Sequence, residues 1–388
     1  MSGIVLSAAV RQNLLSLQNT AELLSSTQNR LASGKKVNTA LDNPTNFFTA
    51  QGLDNRASDI NNLLDGIGNG VQVLQAANTG LTSLQGLVDT AKSIANQVLQ
   101  APAGYTTKST ATSTTLTAGS TSTNLVDGTS IKSGEILSIA ATGGGTATAF
   151  TFGATTSLAS LNTALAANNL TASLDSSNDL VFTTTNDVAS STIGAITLSG
   201  TTGAATFGAA TAPVADPGSQ AIRASLVGQY NNIIAQVTTT AQDSSFNGIN
   251  LLNGDNLKLT FDETAKSTLA INGVTFNASG LSLTSLTAGT DFLDNSSANA
   301  ALTKLSSAST VLRTEASALG SNLSVVQIRQ DFNKNLINVL QTGSSNLTLA
   351  DTNQEAANSQ ALSTRQSIAV SALALANQSQ QSVLQLLR

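Results

Sequence analysis

Both ends of the chain are long polar runs threaded by a thin apolar row. The row recurs at alternating intervals of four and three residues, the spacing of a coiled-coil seam rather than of a globular core helix. Near the front it reads Val10, Leu14, Leu17, Ala21, Leu24, Gln28, Leu31; near the back, Leu362, Gln366, Ala369, Leu373, Ala376, Gln380, Val383, Leu387. Neither row has the apolar area to hold a helix in place by itself, so each predicts a partner helix. Two such ends predict a chain whose termini complete one another and their neighbours in an assembly.

Between these ends the periodicity predicts further helices. The first helix is expected over about Ile4–Ala32, ending at Ser33-Gly34, where glycine permits a left-handed cap. The second starts at Asp42-Asn43-Pro44, a capping side chain ahead of a proline at the first helical position. Its seam is Ile60, Leu64, Ile67, Val71, Leu74, Asn78, Leu81, Gln85, Val88, Lys92, Ala95 and Leu99. Gly66, Gly68, Gly70, Gly80 and Gly86 fall inside it, each costing roughly 1 kcal/mol of helix propensity against Ala. That cost predicts close packing against other helices. A third helix is expected over Ser219–Ala241, with Ile222, Leu226, Tyr230, Ile233 and Val237 inward. A fourth is expected over Ala298–Leu340, broken from the last at Thr342-Gly343-Ser344.

Residues 102–217 change character: they are rich in Thr, Ser, Ala and Gly, with short β-like runs around Phe150, Phe152 and Phe182. Here a short helix from Leu158, a strand Leu170–Leu174, a turn over Asp175–Asp179 and a strand Leu180–Thr183 are expected. The fold class is therefore mainly α, a long coiled-coil-like helical body closed by both termini, with an inserted β-rich outer domain. The expected divisions are 1–34 (N-terminal inner helix), 35–101 (first part of the helical core), 102–217 (outer domain), 218–345 (second part of the core, with a β-hairpin near 246–280) and 346–388 (C-terminal inner helix).

Composition narrows the function classes. The chain has no Cys, no His and no Trp, and only 10% of its residues are charged. Ser-His-Asp and Cys-His sites, HExxH zinc motifs and thiolate clusters are excluded outright. A net charge of −5 without a Lys/Arg block, and few aromatics, argues against nucleic acid as a partner. Asp175 and Asp179 lack EF-type spacing and a terminal Glu, and Asp262-Glu263 reads as an exposed turn rather than an acid/base pair. No catalytic, cofactor or metal residues are assigned. The first thirty residues lack a cleavable signal peptide pattern, and no window is apolar enough to span a membrane, so if the chain is exported it is expected to leave by a route that does not use a cleaved signal peptide.

Three stretches carry a resemblance. Arg30-Leu31-Ala32-Ser33-Gly34-Lys35-Lys36-Val37-Asn38-Thr39-Ala40 resembles the connector of bacterial flagellins, RLSSGxRINxA. Phe246-Asn247-Gly248-Ile249-Asn250-Leu251-Leu252-Asn253-Gly254 resembles their FNGxxLLxG turn. Ala376-Asn377-Gln378 with Val383-Leu384-Gln385-Leu386-Leu387-Arg388 resembles their ANQ…VLxLLR ending. The ordered set covers roughly two thirds of the chain, and its wording is most similar to the alphaproteobacterial type.

The resemblance implies an exported structural subunit, not an enzyme, that polymerises into the extracellular flagellar filament for motility. Its polymerisation residues would be Val10, Leu14, Leu17, Leu24, Leu31, Leu362, Leu373, Val383 and Leu387, and its connector residues Arg30, Ser33, Gly34 and Asn38. The implied partners are other flagellin subunits, an export chaperone at the C-terminal helix, and the filament cap and hook–filament junction proteins. A junction protein shares such termini, and a surface adhesin or enzyme with coiled-coil ends is an alternative of another class. Two departures stand out. The outer domain is placed between the second and third helices, and the receptor-read motif LQRxREL is replaced by Val88-Asp89-Thr90-Ala91-Lys92-Ser93-Ile94. Thr90 and Lys92 thus stand where sensed flagellins carry arginines and Ser93 where they carry a glutamate, with Asp89 at the preceding glutamine position.

Overall fold

Helix-forming stretches and the polar turns between them set the element order of the computed structural model, which describes residues 8–114, 121–200 and 206–386. The chain divides into two compact units. One holds Met1–Gly70, Lys258–Leu269 and Val325–Arg388; the other holds Val71–Leu257 and Ala270–Ser324. Helices α2 (Pro44–Gln100) and α5 (Asn295–Thr348) contribute to both.

In the first unit, α1 (Ala8–Ser33) packs on α6 (Thr352–Leu386), and the start of α2 packs on the end of α5. Residues 4–7 of the expected first helix, and Leu387, lie outside the described residues. Ala57 and Ile60 meet Ile337 and Leu340, with Leu53, Leu64 and Leu336 around them. Proline at the first position of α2 costs no hydrogen bond, and Asn43 Oδ1 accepts the Asn46 amide at 3.0 Å as the cap.

The break expected at Thr342-Gly343-Ser344 is absent. Helix α5 continues to Thr348, and the turn falls on Leu349–Asp351. Gly343 keeps helical backbone, Leu53 sits 3.4 Å from where its Cβ would be, and Ser344 is buried. A hairpin of β9 (Leu257–Thr260) and β10 (Thr268–Ile271) precedes α5. In its turn Asp262 accepts the Ser267 amide at 2.8 Å, and Glu263 pairs with Arg56 at 2.7 Å, so both carboxylates are committed to structure.

In the second unit the buried stripe of α2 is broader than a seam. Leu74, Leu81, Val88 and Ala95 are buried as expected, but the companion row is Ala77, Leu84, Ala91 and Val98; Asn78 is exposed, and Gln85, Lys92 and Leu99 are half-buried. The helix meets two neighbours here. Gly80 faces Ser244 and Leu252, while Gln85 donates to Ser309 Oγ of α5 at 2.7 Å. Only some glycines fit the packing expectation: a Cβ at Gly80 or Gly70 would strike a neighbour, whereas nothing lies within 4 Å of one at Gly66, Gly68 or Gly86.

Helix α4 (Pro217–Asp243) is rotated from the expected face. Arg223, Leu226, Val227, Tyr230, Ile234 and Val237 are buried, Ile233 is half-buried and Ile222 is 52% exposed. After α4, Asn247 (φ 50°) and Gly248 (φ 80°) form a left-handed two-residue turn closed by reciprocal 3.0 Å bonds between Phe246 and Ile249. Buried Asn250 then donates to Ala241 O and Gln242 O, both at 2.8 Å, and satisfies the end of α4.

The β-rich stretch lies between α2 and α4. It comprises β1 (Tyr105–Thr107), β2 (Thr110–Thr112), β3 (Ile136–Ile139), β4 (Thr148–Thr151), α3 (Leu158–Leu165), β5 (Leu170–Leu174), β6 (Leu180–Thr184), β7 (Ile196–Ser199) and β8 (Val214–Ala215). Two three-stranded antiparallel sheets, β2-β6-β5 and β4-β3-β7, enclose Leu125, Leu137, Phe152, Leu161, Leu165 and Phe182. The helix, strand, turn and strand expected from Leu158 onward are α3, β5 and β6. Asp175 Oδ1 accepts the amides of Ser177 and Asp179, both at 2.8 Å, which gives that carboxylate a turn-closing role.

Candidate assembly surface of the terminal helices

The surface is built outward from the two connectors. Gly34 (φ +68°) ends α1 in the left-handed region, reversing the chain without Cβ strain. The following residues lie antiparallel to the α5–α6 turn. Lys36 N donates to Thr348 O at 2.7 Å, Val37 N to the same oxygen at 3.3 Å, and Ala350 N to Gly34 O at 3.0 Å. Val37 is buried, and Ser33 Oγ accepts Lys35 N at 3.3 Å. Asn38 bonds back through Nδ2 to Lys35 O at 3.1 Å.

Asp42 closes this loop: its Oδ2 accepts from Asn38 N at 2.9 Å, Thr39 N at 2.8 Å and Thr39 Oγ1 at 3.2 Å. The backbone N–H groups of Thr39 and Asn38 hold its carboxyl below the usual carboxylate range. On the other side Asp351 Oδ1 caps α6 through Asn353 N at 3.0 Å and Gln354 N at 3.2 Å. Arg30 reaches Glu355 at 3.6 Å across the α1–α6 pair. The four connector residues named from the sequence are therefore brought together. The sequence did not point to Glu355 as the partner of Arg30, to Ala350 as the donor to Gly34 or to Thr348 as the acceptor for Lys36 and Val37, because all three lie more than 300 residues away along the chain.

Above the connectors α1 and α6 run as a pair. On α6 the half-buried positions Leu362, Gln366, Ala369, Leu373 and Ala376 follow the expected seam residue for residue. On α1 the seam is shifted at alternate steps. Val10, Leu17 and Leu24 turn inward as expected, but their companions are Asn13, Thr20, Thr27 and Arg30, which leaves Leu14 and Leu31 at 36% and 39% exposure. Leu15 and Leu23 on α1, and Ile368, Val370 and Leu375 on α6, are each more than half exposed. The pair thus buries one narrow seam and carries apolar side chains on further faces, an arrangement suited to contact with additional helices. The side chains of Gln380 and Val383 and all of Leu387 lie outside the described residues.

The stretch aligned with the receptor-read motif lies on α2 in the other unit. Asp89, Thr90 and Ser93 are exposed, Lys92 pairs with Asp89 at 3.7 Å, and Gln85 donates to Asp89 at 3.1 Å. Its one cation is thus already engaged by a neighbouring carboxylate. Among the described residues no three acidic, His or Cys side chains gather into a metal site, and no helix is long and apolar enough to cross a membrane.

Comparison with known proteins fits this arrangement. The family model for the bacterial flagellin N-terminal helical region matches residues 5–123, and that for the C-terminal helical region matches residues 302–387, together more than half of the chain. Flagellin FljM and flagellin FljK of Caulobacter vibrioides are each 31% identical to it over 167 residues, 42% of this chain and 59% of each relative. Flagellin FljO of the same organism is 30% identical over a stretch of the same length. The chain spans 59% of the length of these relatives. With both helical end regions matched in order, and with connectors that clasp one another through the residues of the motif, the chain belongs to the bacterial flagellin family, on its alphaproteobacterial side.

Proposed function

We propose that this chain is an exported structural subunit that polymerises through its paired terminal helices into the flagellar filament. The observation that carries this reading is the incomplete burial of α1 and α6. Leu15 (58% exposed), Leu23 (57%), Ile368 (63%) and Leu375 (70%) project from a pair that already shares its seam. Burying one such side chain is worth about 1.5–3 kcal/mol, so contacts with neighbouring copies stabilise both the helices and the polymer. Such contacts are head-to-tail and do not close, which lets them propagate into a filament.

The partners that accompany this role are an export chaperone on α6 and cap and hook–filament junction proteins at the filament ends. Flagellins are structural proteins, and the chemistry left to a chain without His or Cys agrees with that. Electron microscopy of the purified protein tests the reading. Long unassisted filaments are expected; short or absent polymer points to the junction protein, and turnover of a substrate to an enzyme.

The surface at Asp89, Thr90, Lys92 and Ser93 bears on animal hosts. It lacks the planar, bidentate arginine contacts that a receptor interface uses as anchors. Monomeric protein should therefore leave flagellin-receptor reporter cells silent at doses where a sensed flagellin activates them. Activation at such doses would contradict the placement of this surface.

A further inference from the structure

Where the β-rich region leaves and rejoins the helices, one arginine is sealed among carbonyl groups. Arg223 of α4 is 1% exposed. Its Nε donates to Pro102 O at 2.8 Å and NH1 to Phe292 O at 2.8 Å. NH2 donates to Ala101 O at 3.1 Å and to Asn295 Oδ1 at 3.2 Å. Its charge is met by carbonyl dipoles, two of them just past the end of a 57-residue helix where partial negative charge collects, and by the nearby carboxylate of Asp294.

Three segments converge on this side chain. The first is the outgoing chain: Ala101 and Pro102 lead into β1, which pairs with β8, while Asp216 N donates to Gly104 O at 2.9 Å and closes the neck. The second is α4 itself, capped by Asp216 directly after β8. The third is the approach to α5. There Phe292 is fully buried with φ 60°, its ring edge-on to Tyr230 at 5.8 Å. A bulky residue holds a left-handed backbone only where its surroundings over-determine it, and Arg223 takes its carbonyl. Two residues on, Asp294 Oδ2 accepts from Ser190 Oγ at 2.7 Å, a further tie to the β-rich region.

We propose that Arg223 is the latch of this neck, locking the outgoing strand, the returning helix and the start of α5 into one arrangement so that the β-rich region is carried rigidly on the helices of its own unit. The core of the β-rich region draws on other residues, among them Leu125, Leu137, Phe152 and Phe182. Loss of the latch therefore loosens the attachment while leaving the sheets folded. In a filament this one residue would set how stiffly the outer region is presented.

Hydrogen exchange of the full chain tests the latch. In Arg223→Gln, exchange across 101–106, 214–218 and 290–296 should accelerate about tenfold or more, as several charge-assisted bonds are lost. Strands β3 and β6 should change less than about twofold. Arg223→Lys should fall between the two, since one ammonium cannot span all four acceptors. Uniform acceleration through neck and sheets, or an unchanged neck, would overturn the proposal. If Arg223→Gln does not fold, Arg223→Lys decides alone by the same criterion.

Discussion

A methyl group added at Gly80 would sit 2.1 Å from Ser244 Oγ and 2.7 Å from Leu252 Cδ1, whereas nothing lies within 4 Å of one added at Gly86. The same substitution should therefore act in opposite directions on one helix. Gly80→Ala should cost about 1–3 kcal/mol by overpacking, and Gly86→Ala should stabilise by about 0.5–1 kcal/mol through helix propensity. Denaturant unfolding of both variants measures this, and equal effects would refute the packing described around Gly80. Asp42 offers a pH test at the same scale. Its folded carboxyl is more acidic than an unfolded one, so its contribution is complete above about pH 5, begins to fade near the unfolded value of about 4 and is lost as pH falls through the folded value. Exchange protection of the Asn38 and Thr39 amides should fall in that acid window. Asp42→Asn should be loose already at neutral pH and gain no further acid response; an identical acid response in the variant would remove Asp42 from the connector's closure.

At the scale of elements, what could be read from the sequence depended on whether its signal was local. The cap at Asn43-Pro44, the glycine stop at Gly34 and the Asn-Gly turn at 247–248 each act within a few residues, and each sits where its chemistry places it. Gly343 misled because glycine marks a helix end only when its backbone turns left-handed, and here the backbone stays helical through to Thr348. On α6 the expected row is followed from Leu362 to Ala376, while on α1, its partner, alternate positions shift; on α2 Leu74, Leu81, Val88 and Ala95 fall where expected, and the companion row moves where two neighbours widen the buried stripe. Arg223 was invisible for a different reason. An arginine in a polar helix reads as solvated, and its acceptors at 101, 102 and 292 share no pattern with it. The β-rich insertion gives an element-scale expectation. Deleting 106–215 and rejoining with a short Gly/Ser turn should leave α2, α4 and α5 folded and still give filaments, thinner than the parent. A deleted chain that folds but never polymerises would place assembly contacts inside the β-rich region.

For the whole molecule, the proposal rests on separating the seam that α1 and α6 share from the apolar side chains they turn outward. Leu17 and Leu373 belong to the shared seam, while Leu15 and Leu375 do not. Charges on the shared seam would disturb the monomer and the polymer together and so could not tell the two apart. Charges on the outward positions leave the monomer's own packing intact, since exposed sites away from special contacts shift stability by no more than about 0.5 kcal/mol. The most direct measurement is therefore electron microscopy of Leu15→Asp/Leu375→Asp beside the parent, with the unfolding curve of each taken in parallel. The double variant should match the parent in unfolding and form no filaments. Normal filaments from a variant that carries both charges would contradict assembly through the terminal helices.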